Sequence, residues 1–233
     1  MRLEDFQNGC FYHVYSRGVN KGLIFFDDLD RSRFCESLCL FNDATYMSSG
    51  NPLDRSFRLS ILTGFEDRRE PLVRLLAYCL MDNHFHLLVQ QVLNHGVSKF
   101  MHKLQMGFVK YINLRHKRSG PLFEVPFKVQ TIDRESQFEH IPRYIHLNAL
   151  DREGIPWRDG VVSDWNLAWN CLEKYRWSSH MAYLAGEQEF PVVDMAAVEE
   201  TMPDVLKNYP NYLRGWSQRS AVLLGISSPG DNN

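Results

Sequence analysis

The sequence predicts an α+β fold: a split β-α-β antiparallel sheet with helices on one face, followed by C-terminal helices. Three observations carry this. Runs of aromatic and β-branched residues end at glycine or turn residues, as strands do. Apolar residues at helical spacing lie between those runs. The resulting order is strand, helix, strand, strand, helix, strand, helix, which is that of a ferredoxin-like sheet.

Taken in order, "CFYHVYSRG" (10–18) is the first strand, ending at a glycine. "DLDRSRFCESLCLFNDA" (28–44) has an acidic start and Phe34, Leu38 and Phe41 at helical spacing. Residues 45–70 are polar and broken by Gly50, Pro52 and Gly64, so they read as an inserted loop, with room for a short strand at "FRLSIL". "VRLLAYCLM" (73–81) and "FHLLVQQ" (85–91) are two strands joined at the turn-prone Asp82-Asn83. A helix follows over 96–118, with Val97, Phe100, Met101, Leu104, Phe108 and Ile112 on one stripe, stopped by Gly120 and Pro121. "LFEVPFKVQTI" (122–132) is a strand in which Pro126 marks an edge or bulge. "ESQFEHIPRYIHLNAL" (135–150) is helical in pattern, with Pro142 starting or kinking it. Beyond it, "EKYRWSSHMAYLAG" reads as a helix, and 194–217 as one or two short helices around Pro203 and Pro210. The organisation is therefore a domain over 8–150 and a helical extension over 151–233.

A chain of 233 residues, 44% hydrophobic, can bury a real core. No apolar run is long enough to cross a membrane, and "MRLEDFQNGC" lacks a secretory h-region. Cys10, Cys35, Cys39, Cys79 and Cys171 form no CxxC pair, so reduced thiols and a cytoplasmic location are expected. The net charge of −2 is unevenly spread. From Asn83 to Phe123 there is no Asp or Glu, but there are six basic residues: Lys99, Lys103, Lys110, Arg115, Lys117 and Arg118. The rest of the chain then holds 20 basic residues against 28 acidic ones. A local cationic segment on an acidic body suits a polyanion, although a solvated helix face would read the same way.

"MDNHFHLLVQ" (81–90) places two histidines in an apolar strand. On a strand, i and i+2 share a face, so His84 and His86 project together while Phe85 and Leu87 point to the core. The pair reads either as two satisfied histidines or as ligands for a metal. No carboxylate follows His86 for 37 residues, which disfavours a zinc hydrolase and suits Mg²⁺ or Mn²⁺ with open positions for phosphate oxygens. In "RYIHLNAL", Tyr144 and Asn148 stand at i and i+4, on one helix face. Asn148 supplies a neutral oxygen and Tyr144 a phenol beside it. Tyr111 is the rival phenol, but its i+4 neighbour, Arg115, would repel a cation. A plain amphipathic helix would also carry Tyr and Asn.

"AYCLMDNHFHLLVQ" with "RYIHLNAL" resembles the single-tyrosine, histidine-hydrophobic-histidine (HUH) transposases, and within them the REP-associated tyrosine transposases. "FYHVYSRGVNKGLIFFDDLDRSRF", "GPLFEVPFKV" and "YRWSSHMAYL" resemble further blocks in the same order, so the likeness spans about residues 10–185. It implies that His84, His86 and Asn148 hold a divalent metal, Mg²⁺ or Mn²⁺, and that Tyr144 cuts single-stranded DNA through a covalent 5′-phosphotyrosine. It also implies hairpin or inverted-repeat DNA as partner, with a homodimer allowed. Two departures stand out: Ala149-Leu150 replaces the usual Pro-Val, and Pro142 precedes the tyrosine. Arg17, Lys128 and Arg143 join the cationic helix as expected phosphate contacts. The rival readings are a water-using metal phosphodiesterase and a non-catalytic DNA-binding regulator.

Overall fold

In the computed structural model, which describes residues 6–45 and 69–216, four strands form one sheet. They are β1 (Phe11–Arg17), β2 (Val73–Met81), β3 (His84–Gln91) and β4 (Lys128–Ile132). The order is β2-β3-β1-β4, and every neighbouring pair is antiparallel. Helix α1 (Asp28–Leu40) joins β1 to β2, and α2 (Gly96–Arg115) joins β3 to β4, which is the split β-α-β arrangement. Helix α3 (Glu135–Leu147) follows β4, then a 3-10 turn over Asn148–Glu153. The C-terminal helices are α4 (Trp165–Lys174), α5 (His180–Ala185), α6 (Met195–Thr201), α7 (Pro203–Lys207) and α8 (Tyr209–Arg214).

The α+β class and antiparallel sheet are those the sequence predicts; several boundaries differ for local reasons. The first helix ends at Leu40 rather than 44. The strand expected over 122–132 shrinks to Lys128–Ile132, because Pro126 has no N–H for the ladder; Phe123 keeps only an isolated bridge to Gly18. Helix α3 runs through Pro142 without restarting there, and the chain tightens into the 3-10 turn at Asn148 instead of staying α-helical to 150. The single helix expected over 173–186 is broken, since Ser178 bridges to Cys79 and the backbone there lies along β2. Leu80 N donates to Trp177 O at 2.9 Å and Ser179 N to Tyr78 O at 3.0 Å, which covers the open edge of the sheet. Three short helices, not one or two, fill 195–214. The expected strand at "FRLSIL" and most of the 45–70 insertion lie outside the described residues.

The two faces of the sheet are packed differently. On one, α1 and α2 close over Phe85: the Phe34 ring lies 4.9 Å from those of Phe85 and Phe108, and Phe123 lies 5.8 Å from Phe85. The stripe Val97, Phe100, Met101, Leu104, Phe108 and Ile112 is fully buried. Gly107 lets α1 approach α2, because a Cβ there would sit 2.3 Å from the Phe41 ring. On the other face, α3 and the C-terminal helices cover the sheet. Tyr209 donates to or accepts from His146 Nδ1 and His180 Nδ1, each at 2.8 Å, and His146 Nε2 meets Ser179 Oγ at 2.7 Å. That network ties α3, α5 and α8 together and uses up His146, which the sequence reading leaves without a site role. One continuous apolar cluster runs from Tyr12 to Trp216, across residue 150. Among the described residues, no helix is long and apolar enough to cross a membrane, and the five cysteines form no disulfide.

Candidate functional site

Cross-strand partners in an antiparallel ladder share a face, so the pairings Tyr15↔His86, Arg17↔His84 and His13↔Leu88 put five polar residues on the side opposite Phe85. The rings of His84 and His86 are 5.0 Å apart and nearly perpendicular. His84 Nδ1 meets Asn83 Oδ1 at 2.7 Å, and Asn83 Nδ2 donates to Lys21 O at 3.0 Å. The second bond orients the amide, so its oxygen faces His84; Nδ1 therefore carries the hydrogen and Nε2 the lone pair. His86 Nδ1 lies 2.9 Å from His13 Nε2. The Nε2 atoms of both His84 and His86 are buried with no hydrogen-bond partner. Buried polar atoms normally find partners, so two open nitrogens side by side point to a ligand.

These imidazoles are held neutral, the form that binds a metal. Burial, then the positive fields of Arg17 and Arg158, pull His84 down to about 3. Burial takes His86 well below the usual range, with His84 and His13 adding to it. His13 falls to about 3 through burial.

Helix α3 brings Tyr144 to the same place. Its ring centroid is 5.6 Å from His86 and 5.8 Å from His13, edge-on to both. Trp157 (5.6 Å) and Trp216 (6.2 Å) cover the other side, leaving Tyr144 3% exposed. Trp216 Nε1 donates to Trp157 O at 2.8 Å and fixes that cover. Asn148, fully buried, donates from Nδ2 to Tyr144 O at 2.7 Å, while its Oδ1 accepts from Arg158 Nη2 at 2.9 Å. Arg158 also reaches Tyr144 Oη from Nη1 at 3.5 Å and pairs with Asp151. Burial opposes the Arg158 charge, but Tyr144 and Asp151 outweigh it and hold the guanidinium pKa above its ordinary value.

The two open imidazole nitrogens fit a divalent ion. Asn148 fits in donor type, with its oxygen already shared by Arg158. Among the described residues, no three His, Cys, Asp or Glu side chains gather as a metal centre.

The expected DNA contacts divide. Arg17 stands beside His84 and its Nε has no partner. Lys128 lies 5.9 Å from the Tyr15 ring, at the same sheet end. The six basic residues of 99–118 belong to α2 and the turn after it, across the sheet from the histidines. There Lys99, Lys110 and Lys117 are exposed, Lys103 donates to Asp43 O at 2.6 Å, Arg115 is paired with Asp27 and Asp30, and Arg118 reaches Pro121 O at 3.2 Å. Arg143 is placed differently from the others. It is 4% exposed, stacked 4.3 Å over Tyr212 and bonded to Gly215 O at 2.9 Å, so it braces α3 against α8. Trp177 is buried beside Phe190.

Sequence reasoning missed His13, Asn83, Asp151, Trp157, Arg158 and Trp216. His13 carried a readable signal, being a second polar residue on the inner side of an aromatic strand. Arg158, in an irregular "PWRDG" loop, carried none.

Fold and site together define an α+β domain in which a buried imidazole pair on a sheet faces a helix-borne tyrosine. Residues 61–148, ending on Asn148, match the family model described as Transposase IS200 like. A solved REP-associated tyrosine transposase, bound to a REP hairpin, is similar at 10% identity, covering 83% of this chain and 93% of that one, with a TM-score of 0.49. Comparison with curated proteins returned no match.

Proposed function

We propose that this chain is a metal-dependent transposase that cuts and rejoins single-stranded, hairpin-forming DNA through a 5′-phosphotyrosine on Tyr144. The observation that carries the reading is the Tyr144 ring standing edge-on to the His86 ring, 5.6 Å between centroids, beside a histidine pair whose Nε2 atoms are open. Tyr144 Oη attacks phosphorus, an O–P bond forms, and the P–O3′ bond breaks. The phenolic proton is lost and the 3′-oxygen gains one, so the step is balanced and the phosphodiester energy stays in the adduct. A divalent ion, Mg²⁺ or Mn²⁺, on His84, His86 and Asn148 would supply charge stabilisation at the attacked phosphate. His13 holds the His86 ring, Asn83 sets the tautomer of His84, and Arg17 and Lys128 receive the neighbouring backbone. We take 8–150 as the cutting domain and 151–233 as the extension that supplies the Trp157–Trp216 cover. Because Tyr144 is 3% exposed, attack requires that cover to open.

The test is incubation with hairpin-bearing single-stranded DNA and Mg²⁺, followed by a denaturing gel. A protein–DNA adduct is expected, absent in Tyr144→Phe. His84→Ala is expected to lose cutting by at least about 100-fold while hairpin affinity changes little. Cutting that survives Tyr144→Phe would mean water is the nucleophile. Bound but intact DNA would mean a regulator.

A further inference from the structure

We infer that Arg158 is a catalytic residue, the jaw of an anion clamp that holds the attacked phosphate against the Tyr144 hydroxyl; the inference rests on the cutting reading above. Arg158 is outside every motif of the sequence, yet its Nη1 reaches the phenol oxygen at 3.5 Å. It is held firmly: Nη2 donates to Asn148 Oδ1 and pairs with Asp151, whose other oxygen accepts from Trp157 Nε1 at 2.6 Å. The Trp157 ring lies 4.5 Å from its central carbon.

Those contacts leave the Nε–H and one Nη1–H without a protein acceptor among the described residues. The side chain is 33% exposed although Tyr144 and Asn148 are buried, so the unused donors have a route to a ligand. Across the site, Arg17 stands at the end of β1, opposite His84, and its Nε is also without a partner. Arg17 and Arg158 thus both lie close to His84, and of the two Arg158 is the one paired with Asp151. A planar, forked donor pre-set by a carboxylate and an indole suits the non-bridging oxygens of a phosphodiester. Those oxygens gain charge as the new bond forms, so donors already in place stabilise the transition state more than the ground state.

The test uses the full-length protein and inorganic phosphate as probe, without DNA or added metal, by calorimetric titration. Phosphate is expected to bind wild type and Tyr144→Phe alike, with at least a tenfold loss in Arg158→Gln and a smaller loss in Arg158→Lys. Thermal melting of each variant separates lost binding from lost fold, and Arg158→Lys retains the loop ion pair if Arg158→Gln unfolds. Equal phosphate affinity in wild type and Arg158→Gln, with only the melting temperature lowered, would make Arg158 a loop strut and overturn the clamp. Absence of phosphate binding by wild type would overturn it too. The DNA adduct assay is separate: an Arg158-dependent phosphate site in a chain that never forms an adduct leaves the clamp standing and removes the transposase reading.

Discussion

Phe85 and His86 are neighbours in β3, and they belong to two different environments. The Phe85 side is a close-packed aromatic core held mainly by apolar contact. The His86 side is as well buried but holds imidazoles, a phenol, an amide and guanidiniums, with His13 Nδ1, Arg17 Nε and the Nε2 atoms of His84 and His86 left open. One sheet can therefore keep its stability and its chemistry on separate faces. The aromatic face fixes the strands, and the polar face departs from good packing where a ligand is to sit.

The largest expected effects come from exchanging the two characters. Phe85→Ala should cost about 3–5 kcal/mol of stability, read by denaturant unfolding, and leave cutting per folded molecule nearly unchanged. His86→Leu should do the reverse: a loss of about 1–3 kcal/mol at most, since His13 loses one partner, with cutting down at least about 100-fold. Equal effects of both changes on cutting would break the division.

Acid should act through the polar side. His13 and His84 at about 3, His180 at about 4, and His86 and His146, both held well below the usual range by burial, all have folded pKa values below that of the unfolded chain. The unfolded chain therefore binds more protons as pH falls below about 6.5. Stability should be full above about pH 7, decline towards pH 4, and decline less steeply in His86→Leu, as denaturant midpoints across that range would report.

Smaller effects test the basic residues. Arg143→Ala should lose about 1–2 kcal/mol of stability and leave hairpin affinity within twofold, because the stack on Tyr212 and the bond to Gly215 are internal. Exposed Lys99 and Lys110 should show the opposite: Lys→Ala leaves stability within about 0.5 kcal/mol and lowers the salt slope of DNA binding by about one per residue if α2 meets the backbone. An unchanged slope would confine DNA to the histidine side.

Much of this division was readable in the chain. Period-2 placement of His84 and His86 set them opposite Phe85, and the i, i+4 spacing of Tyr144 and Asn148 set those two together, because both rules are local geometry. The apolar stripe of α2 was equally plain. What could not be read depended on contacts between distant segments. Arg143 looks like a phosphate ligand beside a reactive tyrosine until Tyr212 and Gly215, some 70 residues on, claim it. "YRWSS" reads as helix until β2 offers its free edge to Ser178. Arg158 acquires its partners only when the loop after the 3-10 turn folds back over Tyr144.

The most direct measurement is mass spectrometry of the protein after reaction with hairpin DNA and Mg²⁺ and digestion by nuclease and protease. A phosphodeoxynucleotide on the Tyr144 peptide, absent in His84→Ala, is the predicted result. Cut DNA with free 5′-phosphates and no modified peptide, or a nucleotide on Tyr111 instead, would contradict it.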